Sequence, residues 1–401
     1  YNEGPLQACD HYHRYREDVA LMKKMGLKSY RFSVSWSRIL PDGTEKINQK
    51  GIEFYQSLVR ELKAAGIEPM VTLYHWDLPY ALYLQGGWKN PQIPDWFAAY
   101  TKIVVEALSD QVQYWMTLNE PQCFVGIGHL QGRHAPFLDE PASLRPVTRH
   151  VLLAHAKAVQ TIRQYAKLPP KVGYAPTGPM FSPCGDESEA AIAEAYRRTM
   201  EVEGCYSISW WCDPVLLGRV PEPMAKALGA DVFTPQELEL LHQPLDYLGF
   251  NVYNACAAQQ PGSEYTANTW QGSPRTAMEW PITPDCIYWA IRFLNQRYGR
   301  PILITENGMA NTDFVMLDGK VHDPQRIDYV HRHLLAARRA LQEGYPLIGY
   351  TYWSIMDNYE WAEGYSKRFG LIYVDYRTME RIPKDSAAWY AHVIATNGSE
   401  L

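Results

Sequence analysis

Two glutamates stand where a chain could use them as reagents. Glu120 lies in Thr117-Leu118-Asn119-Glu120-Pro121, and Glu306 in Ile304-Thr305-Glu306-Asn307-Gly308. Each motif follows a run that reads as a β-strand, Tyr114 to Leu118 and Pro301 to Thr305. A carboxylate at the C-terminal tip of a strand rides on a rigid element and points into whatever opens at that end of the sheet. Two carboxylates so far apart in sequence can face one substrate only if the fold brings their strands to a common mouth, as a parallel β/α barrel does. A pair of Asp or Glu flanking a glycosidic bond is the usual machinery of sugar hydrolysis. Taken singly, either glutamate could equally be a solvated charge at a strand end.

The elements that must carry them alternate between strand and helix, which argues for a parallel sheet with helical crossovers. The first helix is expected from about His13 to Met25, with Asp10 placed as its cap, and the strand Ser29 to Val34 follows. Further helices are expected over about Ile52 to Ala65, Asp95 to Leu108, His150 to Ala166, Glu187 to Ser209, Pro284 to Arg297 and Pro324 to Leu341. The remaining strands are Pro69 to Leu73, Lys171 to Ala175, Asp246 to Phe250 and Ile348 to Tyr352. Glycines after helices, at Gly26 and Gly66, read as helix stops. Seven strands result, whereas a closed barrel needs eight. The segment Tyr1 to Cys9 shows no alternation, so the first strand is the one expected to be missing. No linker, charge run or internal repeat divides residues 1–401, which predicts a single domain.

Composition narrows the function classes. A hydrophobic content of 46% with 20% charged residues suits a large globular core. A net charge of −6 gives no basic face, which argues against nucleic acid or an anionic membrane as partner. No apolar run is long enough to span a bilayer, and the start of the chain lacks the basic and apolar blocks of a secretion signal. Seven cysteines, odd in number and without Cys-x-x-Cys, point to free thiols in a reducing cytoplasm. The 13 Trp and 28 Tyr offer flat faces with polar edges, which suit the C–H faces and hydroxyls of sugars. Most of them must nevertheless pack the core. The pairs His11-x-His13 and His331-x-His333 lack a carboxylate or thiolate at ligand spacing, so no metal is expected. Gly126-Ile127-Gly128 is not a dinucleotide fingerprint, and no Gly-x-Ser-x-Gly elbow supports an esterase.

From Ala8 to about Ile394 the chain resembles glycoside hydrolase family 1, the β-glucosidase family. The matching blocks are Cys9-Asp10-His11-Tyr12-His13-Arg14-Tyr15, Tyr30-Arg31-Phe32-Ser33-Val34-Ser35-Trp36, Leu73-Tyr74-His75-Trp76-Asp77-Leu78-Pro79, both glutamate motifs, Gly249-Phe250-Asn251-Val252-Tyr253, and Tyr352-Trp353-Ser354 through Glu360-Trp361. The resemblance implies an α/β fold of the (β/α)8 TIM-barrel type, here incomplete, with a retaining mechanism on a small β-glycoside and no cofactor. By position Glu120 resembles the family's acid/base and Glu306 its nucleophile. Arg31 and Tyr253 resemble the groups that hydrogen-bond the nucleophile. His75, Asn119 and Glu360 match residues that bond the hydroxyls of the terminal sugar, Asn119 at the 2-hydroxyl. Trp353 matches the stacking floor, Trp76, Trp361 and Phe369 the apolar wall, and Trp280 the aglycone platform. Asn251 would bridge the catalytic pair and the outer subsite.

The pattern breaks at the start, where the family's first strand and its sugar-binding glutamine are absent. A missing strand would bare the edges of the Ser29 and Ile348 strands, so either the N-terminal segment or a second subunit is expected to cover them. Three readings compete: a β-glucosidase, a 6-phospho-β-glycosidase, and a catalytically weakened sugar-binding or scaffold relative. Glu360-Trp361 argues against the second, because the phosphate-binding branch replaces that glutamate. Retention of both Glu120 and Glu306 argues against the third.

Overall fold

Seven strands lie side by side in parallel in the computed structural model, which describes residues 3–183, 185–258 and 272–401. β1 (Ser29–Ser33), β2 (Glu68–Tyr74), β3 (Tyr114–Asn119) and β4 (Lys171–Ala175) pair in that order, and β5 (Leu248–Asn251), β6 (Ile302–Asn307) and β7 (Leu347–Tyr352) form a second run. The runs are joined where Asp246 N donates to Val172 O at 2.9 Å and Asn251 N to Pro176 O at 3.1 Å. Met70, Met116, Ala175, Tyr247 and Leu303, drawn from or beside five of the strands, pack together as an inner cluster. A far larger apolar layer seats the strands against the surrounding helices. The architecture is a β/α barrel of the TIM type.

Among the described residues the barrel has one open seam. Among the described residues no backbone hydrogen bond joins β1 to β7, which is where the eighth strand was expected to be missing. β7 at this seam is only half-buried, with Ile348 51% exposed, whereas β6 is buried along its whole length. Residues 3–10 add no backbone pairing to either strand edge, although Cys9 packs with the apolar cluster that includes Tyr350 and Tyr352 of β7. Glu3 and Gly4 run instead to the loop after β7. The Glu3 carboxylate accepts from Tyr365 N at 2.9 Å, and the Glu3 and Gly4 carbonyls accept from the Tyr359 and Tyr365 hydroxyls at 3.2 and 3.0 Å. Tyr1, Asn2 and Cys184 lie outside the described residues.

Most expected helices form within a few residues of their expected bounds. Gly26 and Gly66 end the helices His11–Lys24 and Gln49–Ala64 at φ of 75° and 74°, a left-handed conformation that costs glycine little. Two expectations need correction. Asp10 does not cap the first helix, because its own backbone is left-handed and its carboxylate pairs with His13 Nδ1 at 2.6 Å. The long helix expected over 187–209 is two, Glu189–Met200 and Ile208–Leu216, separated by a turn containing Gly204 at φ 78°. The His11-x-His13 pair does meet carboxylates, Asp18 and Asp10, but each ring takes a different one.

The loop after β7 is held from behind by a buried ionic cluster. Lys384 Nζ donates to Asp313 at 2.5 Å and to Asp357 at 2.7 Å, while Arg368 Nη1 meets Asp357 at 2.6 Å. Arg326 reaches Asp313 at 2.6 Å and also pairs with Asp323, which in turn accepts from Ser386 N at 2.8 Å. This cluster ties loops 308–323 and 354–370 to the C-terminal segment.

Candidate active site

Strand ends set the positions of the site residues. β1 carries Arg31, β2 leads into His75 and Trp76, and β3 ends in Asn119 with Glu120 immediately beyond. β5 ends at Asn251 with Tyr253 just past it, β6 includes Glu306, and β7 leads into Trp353. Both glutamate-bearing strands carry one residue more than a neighbour does. Between Met116 and Asn119, β3 takes three steps where β4 takes two from Gly173 to Ala175. From Ile304 to Glu306, β6 takes two steps where β5 takes one from Phe250 to Asn251. Bulges of this kind re-aim a side chain beside active sites. Backbone strain gathers at the same rim, for Trp76, Glu120 and Trp361 adopt φ of 82°, 44° and 46°, values uncommon for side chains with a Cβ and often found at functional sites.

The two glutamates belong to one hydrogen-bonded chain. Glu306 Oε1 accepts from Arg31 Nη1 at 2.6 Å, and its Oε2 from the Tyr253 hydroxyl at 2.7 Å. Arg31 Nη2 also donates to Asn119 Oδ1 at 2.5 Å, and Asn251 Nδ2 reaches that same oxygen at 3.0 Å. Asn251 Nδ2 then donates to Glu120 Oε1 at 2.7 Å, while Cys123 Sγ lies 3.1 Å from Glu120 Oε2. Arg31 is held along its length as well, with Nε 3.3 Å from Met116 Sδ.

These surroundings shift the titration of several groups in the site. Burial, and then the negative charge of Glu306, push the Glu120 carboxyl up to about 7, against the pull of Asn251, Cys123 and Arg31. Burial and then Glu306 raise Glu360 to about 8, although the Trp353 indole donates to it. His75 is driven down to about 3 by burial and by Arg31, so its imidazole is neutral at ordinary pH. The Tyr253 phenol is pushed well above its usual range by burial and by Glu306, and therefore keeps its proton to donate.

A cavity of about 440 Å³ opens over this chain of groups. Glu120, Glu306, His75, Trp76, Asn251 and Tyr253 line it, as do Trp280, Trp353, Glu360, Trp361 and Phe369. Trp76 and Trp361 approach at 4.7 Å between ring centres, His75 stacks 5.8 Å from Trp353, and Trp280 lies 5.1 Å from Tyr253. Arg31 and Asn119 lie beneath the wall rather than in it, Asn119 fully buried with its Nδ2 3.3 Å from His75 Nε2. Sequence reasoning missed Cys123, Arg133, His134, Met180, Cys256 and Met278, which also line the cavity. All are on loops or short segments without periodicity. Only Cys123 gave a usable signal, by standing three positions after Glu120.

The model of the family described as glycosyl hydrolase family 1 matches residues 3–399. The chain belongs to that family. Beta-glucosidase A of Thermotoga maritima is 42% identical over 400 residues, covering 98% of this chain and 88% of that protein. Beta-glucosidase A of Acetivibrio thermocellus is 41% identical over 401 residues, with the same coverage of each chain. Among solved structures, the Thermotoga maritima beta-glucosidase in complex with glucoimidazole superposes with a TM-score of 0.88 at 41% identity, covering 98% of this chain and 88% of that one.

Proposed function

We propose that this family 1 chain, acting as one barrel domain, is a retaining β-glucosidase that removes terminal non-reducing β-D-glucosyl residues. The observation carrying this reading is the pairing, in one cavity, of two carboxyls held by different partners. Glu306 is clamped by a guanidinium and a phenol, which suits an ionised nucleophile. Glu120, raised to about 7, holds a proton near neutral pH, as an acid must.

In the first step a Glu306 carboxylate oxygen attacks the anomeric carbon while Glu120 gives its proton to the departing glycosidic oxygen. The C–O bond breaks and a glycosyl ester forms on Glu306. With the nucleophile's charge consumed, Glu120 is ionised and takes a proton from water, whose oxygen attacks the same carbon and frees Glu306. Retention requires the two carboxyls to stand about 5–5.5 Å apart.

His75, Asn119 and Glu360 are assigned to the sugar hydroxyls, Trp353 to the floor beneath the ring, and Trp76, Trp361 and Phe369 to its apolar wall. Trp280, beside Tyr253, is assigned to the leaving group, and Asn251 to bridging the catalytic pair and the outer subsite. Glu360 stands in the cavity wall at the position where the phosphate-binding branch of the family carries another residue, which favours the unphosphorylated sugar.

The decisive experiment measures nitrophenol release from its β-glucoside and the anomeric configuration of the first sugar product. Glu306→Gln should abolish turnover, and azide should rescue Glu120→Ala to give the β-glycosyl azide. Turnover that survives Glu306→Gln, or an initial α-configured product, would overturn the assignment. We further propose that a second copy covers the seam between β1 and β7; light scattering that finds only monomer counts against it. Six free thiols among the described residues fit a reducing, cytoplasmic setting, testable by fractionating the source cells.

A further inference from the structure

Cys123 touches the proposed acid, and the mechanism above gives it no part. It stands in the first turn of the π-helical segment Gln122–Leu130, and its backbone N–H donates to the Glu120 carbonyl at 2.9 Å. The preceding residue anchors the segment: the Gln122 amide donates to Thr177 O and accepts from Thr177 N at 3.3 Å. The thiol is thereby fixed in the cavity wall, with Sγ 3.1 Å from Glu120 Oε2. Asn251 holds the other oxygen, Oε1, at 2.7 Å. Glu120 is gripped on both oxygens, by an amide on one side and a thiol on the other.

We infer that Cys123 is a positioning residue whose S–H donor orients the Glu120 carboxyl and sets how readily it parts with its proton. The inference rests on the assignment of Glu120 as acid/base. A thiol is a weak donor compared with a hydroxyl. A donor to a carboxylate stabilises the charged form and lowers its pKa, so a weak one lowers it a little. An acid that must be protonated in the first step and ionised in the second needs that intermediate setting.

The thiol itself remains protonated. Burial, then Glu120 and Glu306, push Cys123 well above the usual thiol range. Glu306 and Arg31 act on Glu120, and Glu360 and Tyr253 feel its charge; His75, Arg133, His134 and Glu363 line the same cavity, and Cys205 and Tyr206 lie near the thiol. None of these changes when Cys123 is replaced, so a shift in the Glu120 limb reports on the thiol.

The test compares kcat/KM against pH for wild type, Cys123→Ala, Cys123→Ser and Glu120→Ala with and without azide. The alkaline limb that disappears in Glu120→Ala with azide marks loss of the Glu120 proton, and a limb that stays there belongs to Glu360. Removing the donor in Cys123→Ala should move that limb upward by about half a pH unit to one unit. Cys123→Ser should lie below Cys123→Ala, because a donor is restored. The acid limb should stay in place in both. A merely structural role would lower rates without moving either limb, so an alkaline limb unmoved in Cys123→Ala, or moved downward, overturns the inference. Loss of the limb in Glu120→Ala with azide rescue separates this failure from a failure of the acid/base assignment, in which Glu120→Ala would lose no alkaline limb.

Discussion

Two buried ionic clusters in this molecule solve opposite problems. Behind the loop after β7, Asp313, Asp323 and Asp357 meet Arg326, Arg368 and Lys384, three charges against three. Burial opposes ionisation of Asp313, but Arg326 and Lys384 outweigh it and hold that carboxyl below its usual range. Over the cavity, Arg31 pairs with Glu306, and Glu120 and Glu360 both feel the Glu306 charge. Burial, reinforced by the Glu306 charge, raises Glu120 and Glu360, so each holds its proton more tightly than an ordinary glutamate. Balance makes a fixed joint, and imbalance makes a site that can hand over a proton. The balanced cluster also anchors the 354–370 loop, and so positions Glu360 and Trp361 in the unbalanced one.

The comparison can be broken in order of size. Glu306→Gln should lower kcat by on the order of 10⁴-fold or more, because no other group supplies the nucleophile; single-turnover kinetics would read it. A fall of only a few-fold would mean the unbalanced cluster does not do the chemistry. Lys384→Met should cost about 3–5 kcal/mol of stability by stranding Asp313 and Asp357, visible in the denaturation midpoint. A midpoint equal to wild type would show that balance contributes nothing there. Tyr253→Phe deletes the 2.7 Å bond to Glu306, and a lost bond to a charged group is worth about 1.5–3 kcal/mol, or roughly 10- to 100-fold in kcat.

The smallest effect separates the clusters by pH. Glu360 is raised to about 8 in the fold, so its contribution to stability is present below the ordinary carboxylate range and is lost as pH rises through 8. Glu360→Gln should therefore gain on wild type as pH rises from 5 to 9, with the gain levelling off above 8, measured by denaturant titration at each pH. Asp313 has the opposite sign: its contribution is present at neutral pH and is lost as pH falls below the usual carboxylate range. A stability difference for Glu360→Gln that does not change with pH would contradict the account.

The alternation of strand and helix was legible because the barrel strands are short apolar runs between amphipathic helices, several of them ended by glycine, as at Gly26, Gly66 and Gly299. Lys171–Ala175 was read to its exact ends, and the other barrel strands to within two residues. The glutamates stood out because their motifs close such strands. The split of 187–209 was missed because its helical composition continues across the break, and only Gly204 marks it. Asp10 has the residue type of a helix cap, yet its partner is a neighbouring histidine, which composition cannot announce. The cavity residues Arg133, His134, Met180 and Met278 are assembled by loops whose geometry depends on contacts distant in sequence. The ionic cluster behind the 354–370 loop was invisible for the same reason, since Lys384 finds Asp313 and Asp357 only once the fold exists.

The extra residue in β6 makes the chemistry depend on a count as well as on residue type. Along a regular strand, odd and even positions face opposite sides. The supernumerary step before Glu306 reverses that parity relative to β5 just where the carboxylate is needed. A one-residue deletion there could keep every catalytic side chain in the chain and still turn the nucleophile away from its partner.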